Sequence, residues 1–281
     1  MAPAGPFERP SFDAGLACLA ERYRVQYTPG IFERQRYLAG EDARRLAELN
    51  SALADPAIQA VFCARGGYGA MRLLAKLAPP PERMKPLVGF SDITALHFWC
   101  QRHGFVSIHG PVLTQLGSQT PQSHARLFSL LESELPAAPI LAAQTLVAGG
   151  AEGPLLGGNL SVVTRLLGTP FLPPLDGAIL LLEDLAERPY RLDRMWTHLE
   201  LAGVFRQISG IALGAFTGCE DRDTSYTSAQ VLRDLAAATG LPCAAGFPIG
   251  HGERNDAVPL GTRVQLDATA RTLTFLEGAV A

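Results

Sequence analysis

The chain has 281 residues, 47% of them apolar and 18% charged, with a formal net charge of −3. That length holds one large or two ordinary domains with a proper core, and the composition is that of a soluble globular protein. It offers no basic face for nucleic acid or an anionic membrane surface, and no apolar run reaches the length of a membrane span.

Residues 1–6 are rich in proline and alanine and lack the charged-then-apolar order of a secretory signal. A first sheet strand is expected ahead of this turn, yet the chain begins at the turn itself. Asp13 can cap a helix carrying Leu16, Leu19 and Ala20, and residues 25–27 read as a strand. A helix follows over about 41–53, rich in alanine, leucine and paired charges. Residues 57–63 form an apolar strand that ends in Arg65-Gly-Gly-Tyr-Gly69, and a helix is expected through Met71, Leu74 and Leu77. Leu87-Val88 then reaches Gly89, turns at Phe90-Ser91, and takes up helical spacing through Ile93, Leu96 and Cys100. A strand at 105–108 closes on His109-Gly-Pro111.

From about 134 to 153 the chain is rich in proline, alanine and glycine without periodicity, which suggests a linker. Beyond it, residues 153–159 lead into a helix over 160–167, and 178–182 form a fully apolar strand running into Glu183. A helix over 190–202 is followed by Gly203 as its cap, then a strand at 208–216 and a helix at 228–239. Residues 243–247 form a strand ending in Pro248-Ile-Gly-His-Gly252, and 263–267 and 272–275 alternate as a terminal hairpin. The alternation of strands and helices predicts an α/β fold of two domains. The N-terminal domain (1–135) is a parallel sheet flanked by helices, 136–152 is a linker, and 153–281 form a smaller α/β domain with the hairpin.

Three reactive side chains fall at strand ends, where ligands collect in such sheets. Ser91 stands at a strand-to-helix turn, where it or Asp92 can simply cap the helix, or where an anion beside it would meet the unpaired amide of Asp92. Glu183 directly follows five apolar residues, and Arg188, Arg191 and Arg194 are near enough in sequence to pair with it. His251 lies between two glycines, as a turn residue or as a base with room to move. Together they supply a nucleophile, an orienting acid and a base, in the order Ser, Glu, His. The residue two after Ser91 is Ile93, so the Gly-x-Ser-x-Gly elbow of the α/β-hydrolases does not fit.

Other chemistries fit less well. Residues 66–69 lack the glycine spacing of a dinucleotide loop and the Lys-Ser/Thr of a phosphate loop, so no cofactor is expected. His97, His103 and His109 are six apart and share no helical face, so no metal is expected. The five cysteines are widely spaced and mostly inside apolar runs, and read as reduced buried thiols; the cytoplasm is the expected compartment.

The segments Ala64-Arg-Gly-Gly-Tyr-Gly69, Val88-Gly-Phe-Ser-Asp-Ile-Thr94, Leu156-Gly-Gly-Asn-Leu160, Leu182-Glu-Asp-Leu-Ala-Glu187 and Gly246-Phe-Pro-Ile-Gly-His-Gly252 give the chain a resemblance to the L,D-carboxypeptidase family of serine peptidases. That group includes murein tetrapeptide carboxypeptidases and microcin C immunity peptidases, and the resemblance covers nearly the whole chain. It implies Ser91 as nucleophile, Glu183 as acid and His251 as base, with the serine on the N-terminal domain and the other two on the C-terminal one. It also implies a homodimer that cleaves the bond before a terminal D-alanine in a murein peptide, or, as the alternative, a peptidyl or aminoacyl adenylate analogue. A protein that keeps the fold and only binds a small ligand is a further alternative. For the oxyanion the expected donors are the amides of Asp92 and Gly67, and Arg65 and Arg254 are candidates for the substrate carboxylate.

Overall fold

A computed structural model describes residues 1–221 and 225–280. The first stretch holds α1 (Arg9–Ala20), α2 (Asp42–Ala54), β1 (Val61–Phe62), β2 (Leu87–Gly89), α3 (Thr94–Arg102), β3 (Ser107–His109), α4 (Leu113–Leu116) and α5 (Pro121–Glu132). Next come β4 (Ile140–Leu141), β5 (Gln144–Val147), β6 (Gly150–Asn159), α6 (Leu160–Leu166), β7 (Ile179–Leu185), α7 (Pro189–Leu201), β8 (Gly210–Thr217) and α8 (Ser228–Thr239). The chain finishes with β9 (Cys243–Ala245), β10 (Val258–Leu260), β11 (Arg263–Asp267) and β12 (Thr272–Phe275). None of the described helices is long and apolar enough to cross a membrane.

The protein is an α/β fold with two sheet regions and flanking helices. The smaller sheet has the order β1-β2-β3-β10, the first three strands parallel and β10 antiparallel to β3. The larger has the order β4-β12-β11-β6-β7-β8-β9-β5. Its middle strand, β6, serves two partners. Residues 150–154 pair antiparallel with β11, and residues 155–159 pair parallel with β7. The strands of this parallel half (β6, β7, β8 and β9) bring their carboxyl ends to one edge, and β7 is buried as far as Asp184.

Several segments differ from the sequence expectation. Residues 25–27 are not a strand; Tyr27 instead packs edge-on against Phe12 at 5.1 Å, in a cluster with Phe7 and Phe32. The helix expected through Leu77 is two short 3-10 turns at residues 70–72 and 74–76, cut off by the prolines at 79–81. The glycine- and proline-rich stretch 136–152 is not a bare connection: it carries β4, β5 and the start of β6. At the sheet edge Met1 donates to the Phe62 carbonyl at 2.8 Å and accepts from the Ala64 amide at 2.8 Å, so its backbone pairs where a first strand was expected.

Candidate active site

Strand β2 delivers Ser91 into a sharp turn, and the serine takes a left-handed backbone with φ of 64° before α3 begins. A non-glycine residue pays on the order of 1–2 kcal/mol for that conformation. The surrounding packing holds it there. Gly66 lies so close that a Cβ on it would sit 2.9 Å from Ser91 Cβ and 3.1 Å from Oγ. Asp92 does not cap the helix with its side chain; its buried carboxylate accepts the Ala70 amide at 2.8 Å. Burial pushes the pKa of Asp92 up to about 6. From the other side the fully buried Arg45 donates to the Gly69 carbonyl at 3.0 Å, and also to the Pro3 carbonyl and to Asp42. The turn at 66–70 is thus clamped against the serine. The Gly67 amide within it donates to no protein group among the described residues.

Glu183 is fully buried in β7, and its Oε2 meets His251 Nδ1 at 2.6 Å. Burial raises the carboxyl's pKa, and the His251 hydrogen bond opposes that rise. Two glycines make the approach possible. Gly250 has φ of 101°, and a Cβ there would lie 2.5 Å from Glu183 Oε2. At Gly214 a Cβ would lie 2.5 Å from the Ile249 carbonyl oxygen. The β7–β8 register shifts between Leu182 and Asp184, opposite this glycine. Arginines near in sequence do not serve Glu183: Arg188 lies against Asp221 and Arg191 against Glu187.

The imidazole of His251 packs on the ring of Phe90, centroid to centroid 4.6 Å, and Phe90 immediately precedes Ser91. Glu183, His251 and the residue before Ser91 therefore touch in succession, from three separate elements. His97, read only for metal binding in the sequence, has a structural task there. Its Nε2 donates to the Gly89 carbonyl at 2.8 Å, which leaves Nδ1 to accept from the Ser107 hydroxyl at 2.9 Å and ties β2 to β3. Burial lowers its pKa to about 4, so the ring is neutral.

Arg65 and Arg254 are both engaged. Arg65 donates to the Pro6 carbonyl, and Arg254 makes a two-pronged pair with Asp256, its Nε 2.8 Å from Oδ1. Sequence reasoning gave no role to Asn159, Thr94 or Asp184. The Asn159 amide donates to Thr94 Oγ1 at 3.0 Å, its side chain donates to Asp184 at 3.0 Å, and Ser161 holds the other Asp184 oxygen from its amide and hydroxyl at 2.9 and 2.8 Å. Asn159 also caps α6 through the Val162 amide at 3.2 Å. Its place between a strand and a helix, in a residue type that favours caps, is the one sequence signal it carried.

Known proteins match the chain throughout. Residues 1–110 match the LD-carboxypeptidase N-terminal domain and residues 152–266 the LD-carboxypeptidase C-terminal domain. The murein tetrapeptide carboxypeptidase of Pseudomonas aeruginosa is 37% identical, over 95% of this chain and 92% of that one. The crystal structure of muramoyltetrapeptide carboxypeptidase from Oxalobacter formigenes superposes with a TM-score of 0.86 and 26% identity, covering 100% of this chain and 99% of that one. The microcin C7 self-immunity protein MccF, in complex with aspartyl sulfamoyl adenosine, gives a TM-score of 0.85 at 21% identity over 96% of this chain and 92% of that one, a likeness of fold alone.

Proposed function

Because this chain belongs to the LD-carboxypeptidase family, whose members here are serine-type hydrolases, we propose that it removes the terminal D-alanine of murein tetrapeptides through Ser91, His251 and Glu183. The observation that carries this reading is the 2.6 Å bond from Glu183 to His251 Nδ1, on an imidazole packed against the residue before Ser91. With Nδ1 engaged, Nε2 is the nitrogen left for the serine. In the first step His251 Nε2 takes the Ser91 hydroxyl proton as Oγ attacks the carbonyl of the bond before D-alanine. Glu183 holds the ring in place and stabilises its charged form.

The oxyanion so formed lies against the amides of Asp92 and Gly67, each donor worth about 2.7–4 kcal/mol by analogy with other oxyanion holes. His251 then protonates the leaving amine, D-alanine departs, and an acyl-enzyme remains on Ser91. Water deprotonated by His251 attacks the ester, and the proton returns to Ser91 as the shortened peptide leaves. The same reading has the enzyme working as a homodimer in the cytoplasm, divided into domains at 1–135 and 153–281. Of the two candidates for the substrate carboxylate it assigns Arg65, which must then exchange the Pro6 carbonyl for substrate, because Arg254 is held two-pronged by Asp256.

An adenylate analogue as substrate calls for an aromatic platform, and Trp196 does not supply one: it is 1% exposed and packs on Phe205 at 5.0 Å. The test is incubation of the wild type and Ser91→Ala with a murein tetrapeptide, followed by mass analysis. Loss of one D-alanine in the wild type alone supports the proposal, and equal loss in both sinks the serine mechanism. No loss in either, with cleavage of an aminoacyl sulfamoyl adenosine by the wild type, moves the assignment to the adenylate substrate. No loss in either and no such cleavage overturns the assignment altogether.

A further inference from the structure

Arg126, on α5, is a half-buried cation that pairs with no carboxylate among the described residues. Its Nε donates to the Ala257 carbonyl at 2.7 Å and its Nη1 to the Ala138 carbonyl at 2.7 Å, while the guanidinium lies 5.0 Å from the Phe275 ring centroid. Among the described residues its Nη2 is buried and has no hydrogen-bond partner. Burial pushes the pKa of this group down to about 10, with the Arg254 charge acting in the same direction and Asp256 opposing. Buried charges are ordinarily paired or fully hydrogen-bonded. Half-buried Arg126 is unpaired, and its Nη2 has no partner among the described residues.

The nearby carboxylate, Asp256, is already taken by Arg254 and by the Ser123 hydroxyl at 2.9 Å. Arg126, Arg254 and Asp256 line a cavity of about 440 Å³, and no other charged side chain does so among the described residues. Two cations and one carboxylate leave one positive charge in excess. Pro139, Ile140 and Pro248 give the cavity apolar wall. Its volume is within the range of about 300–1,000 Å³ common for small-molecule sites.

The cavity also adjoins the loop that carries His251. That loop is closed at its base, where the Asp256 amide donates to the Pro248 carbonyl at 2.7 Å, and within it the Gly250 amide donates to Asn255 Oδ1 at 2.8 Å. Pro248, Arg254 and Asp256 thus face the cavity from the foot of the loop. We propose that this cavity binds a small organic carboxylate with an apolar body, seated between Arg126 and Arg254, and that the occupant steadies the foot of the His251 loop. The excess of a single charge favours a monoanion, and the apolar wall favours a carboxylate with a hydrocarbon portion over a bare inorganic ion.

The test uses the full chain with N-acetylalanine as probe, N-acetylalaninamide as its neutral counterpart and inorganic phosphate as a third arm, all at fixed ionic strength. The acid should raise Tm by about 2–4 °C once it is several times its Kd. It should also slow amide exchange at residues 126–141 and 248–256, and the neutral amide should do neither. Arg126→Met, which keeps an apolar stem, should lose both responses. Equal responses to acid and amide, a response that survives Arg126→Met, or no protection of these segments in the wild type overturns the proposal. Protection by phosphate and not by the acid overturns the organic-carboxylate assignment. If Arg126→Met fails to fold, the wild-type exchange comparison decides the matter, and it does so without any measurement of peptidase activity.

Discussion

The carboxylate of Asp92 accepts the Ala70 amide at 2.8 Å, so the residue after Ser91 holds the glycine turn that packs on Ser91. This bond has a pH signature. Asp92 titrates near 6 in the fold against 3.8 unfolded, because burial disfavours its charge. The folded state therefore binds the extra proton between those values, and stability from this group falls as pH rises through 6. His97 works in the opposite sense, titrating near 4 against 6.5, so its stability contribution is present above 6.5 and lost as pH falls through 4. Each displacement is on the order of 3 kcal/mol, and between pH 4 and 6 they offset. Removing Asp92's titration with Asp92→Asn should leave a stability that rises with pH across that interval more steeply than in the wild type. Urea unfolding at pH 4.5 and pH 6 measures it; an unchanged slope would contradict the assignment.

Ser91 sits at φ of 64°, where glycine is at ease and serine is not. Ser91→Gly should therefore be more stable than Ser91→Ala by about 1 kcal/mol, seen as roughly 2–4 °C in Tm. On the proposed mechanism both should lose about 10⁴-fold or more in kcat. Equal melting temperatures would mean that the turn carries no backbone strain.

Glu183 and Gly250 form a matched pair in which the missing side chain of one makes space for the other. Gly250→Ala places a methyl about 2.5 Å from Glu183 Oε2 at a φ of 101°, so it should lower both Tm and kcat/KM. Glu183→Gln keeps the volume and removes the charge. It should leave KM nearly unchanged and cut kcat by about 10⁴-fold, the scale seen when an orienting acid becomes an amide. A Glu183→Gln enzyme with near-normal kcat would remove Glu183 from the mechanism.

Thr94, in the first turn of α3, receives the Asn159 amide from the end of β6. Thr94→Val keeps the shape and leaves that buried amide unpaired, at a cost of about 1–3 kcal/mol. Thr94→Ser should recover most of the loss, because the hydroxyl is what matters. Chemical unfolding of the three proteins separates hydrogen bonding from packing: if valine and serine cost the same, the bond is not the cause.

Strands with an alternating or wholly apolar pattern, such as β7, β11 and β12, were legible in the sequence because one or both faces are buried and nothing else interrupts them. β6 was not. Its glycines at 150, 153, 157 and 158 and Pro154 carry no strand pattern and suggest only a linker up to 153 and a lead into the next helix over 153–159, yet these residues are what the sheet needs. A Cβ at Gly157 would lie 2.1 Å from the Leu181 carbonyl oxygen, and one at Gly153 would lie 1.9 Å from that of Gly177. Close backbone approach thus removes the residue types by which strands are recognised. The same contrast holds at the site. Ser91, Glu183 and His251 stood out because each ends a strand or follows one. The Asn159–Thr94 bond spans 65 positions and has no local pattern, and Arg45 looked like an ordinary charge in an alanine-rich helix although it is fully buried.

The antiparallel pairing of β10 with β3 ties the serine's sheet to the order in which the chain is made. Until residue 260 has left the ribosome, β3 has an open edge and the sheet that presents Ser91 lacks its fourth strand. The 2.6 Å acid–base pair needs His251, which is made only a few residues earlier. A nascent chain therefore carries Ser91 without the fourth strand of its sheet, and without the Glu183–His251 pair, until residues 251–260 have been made.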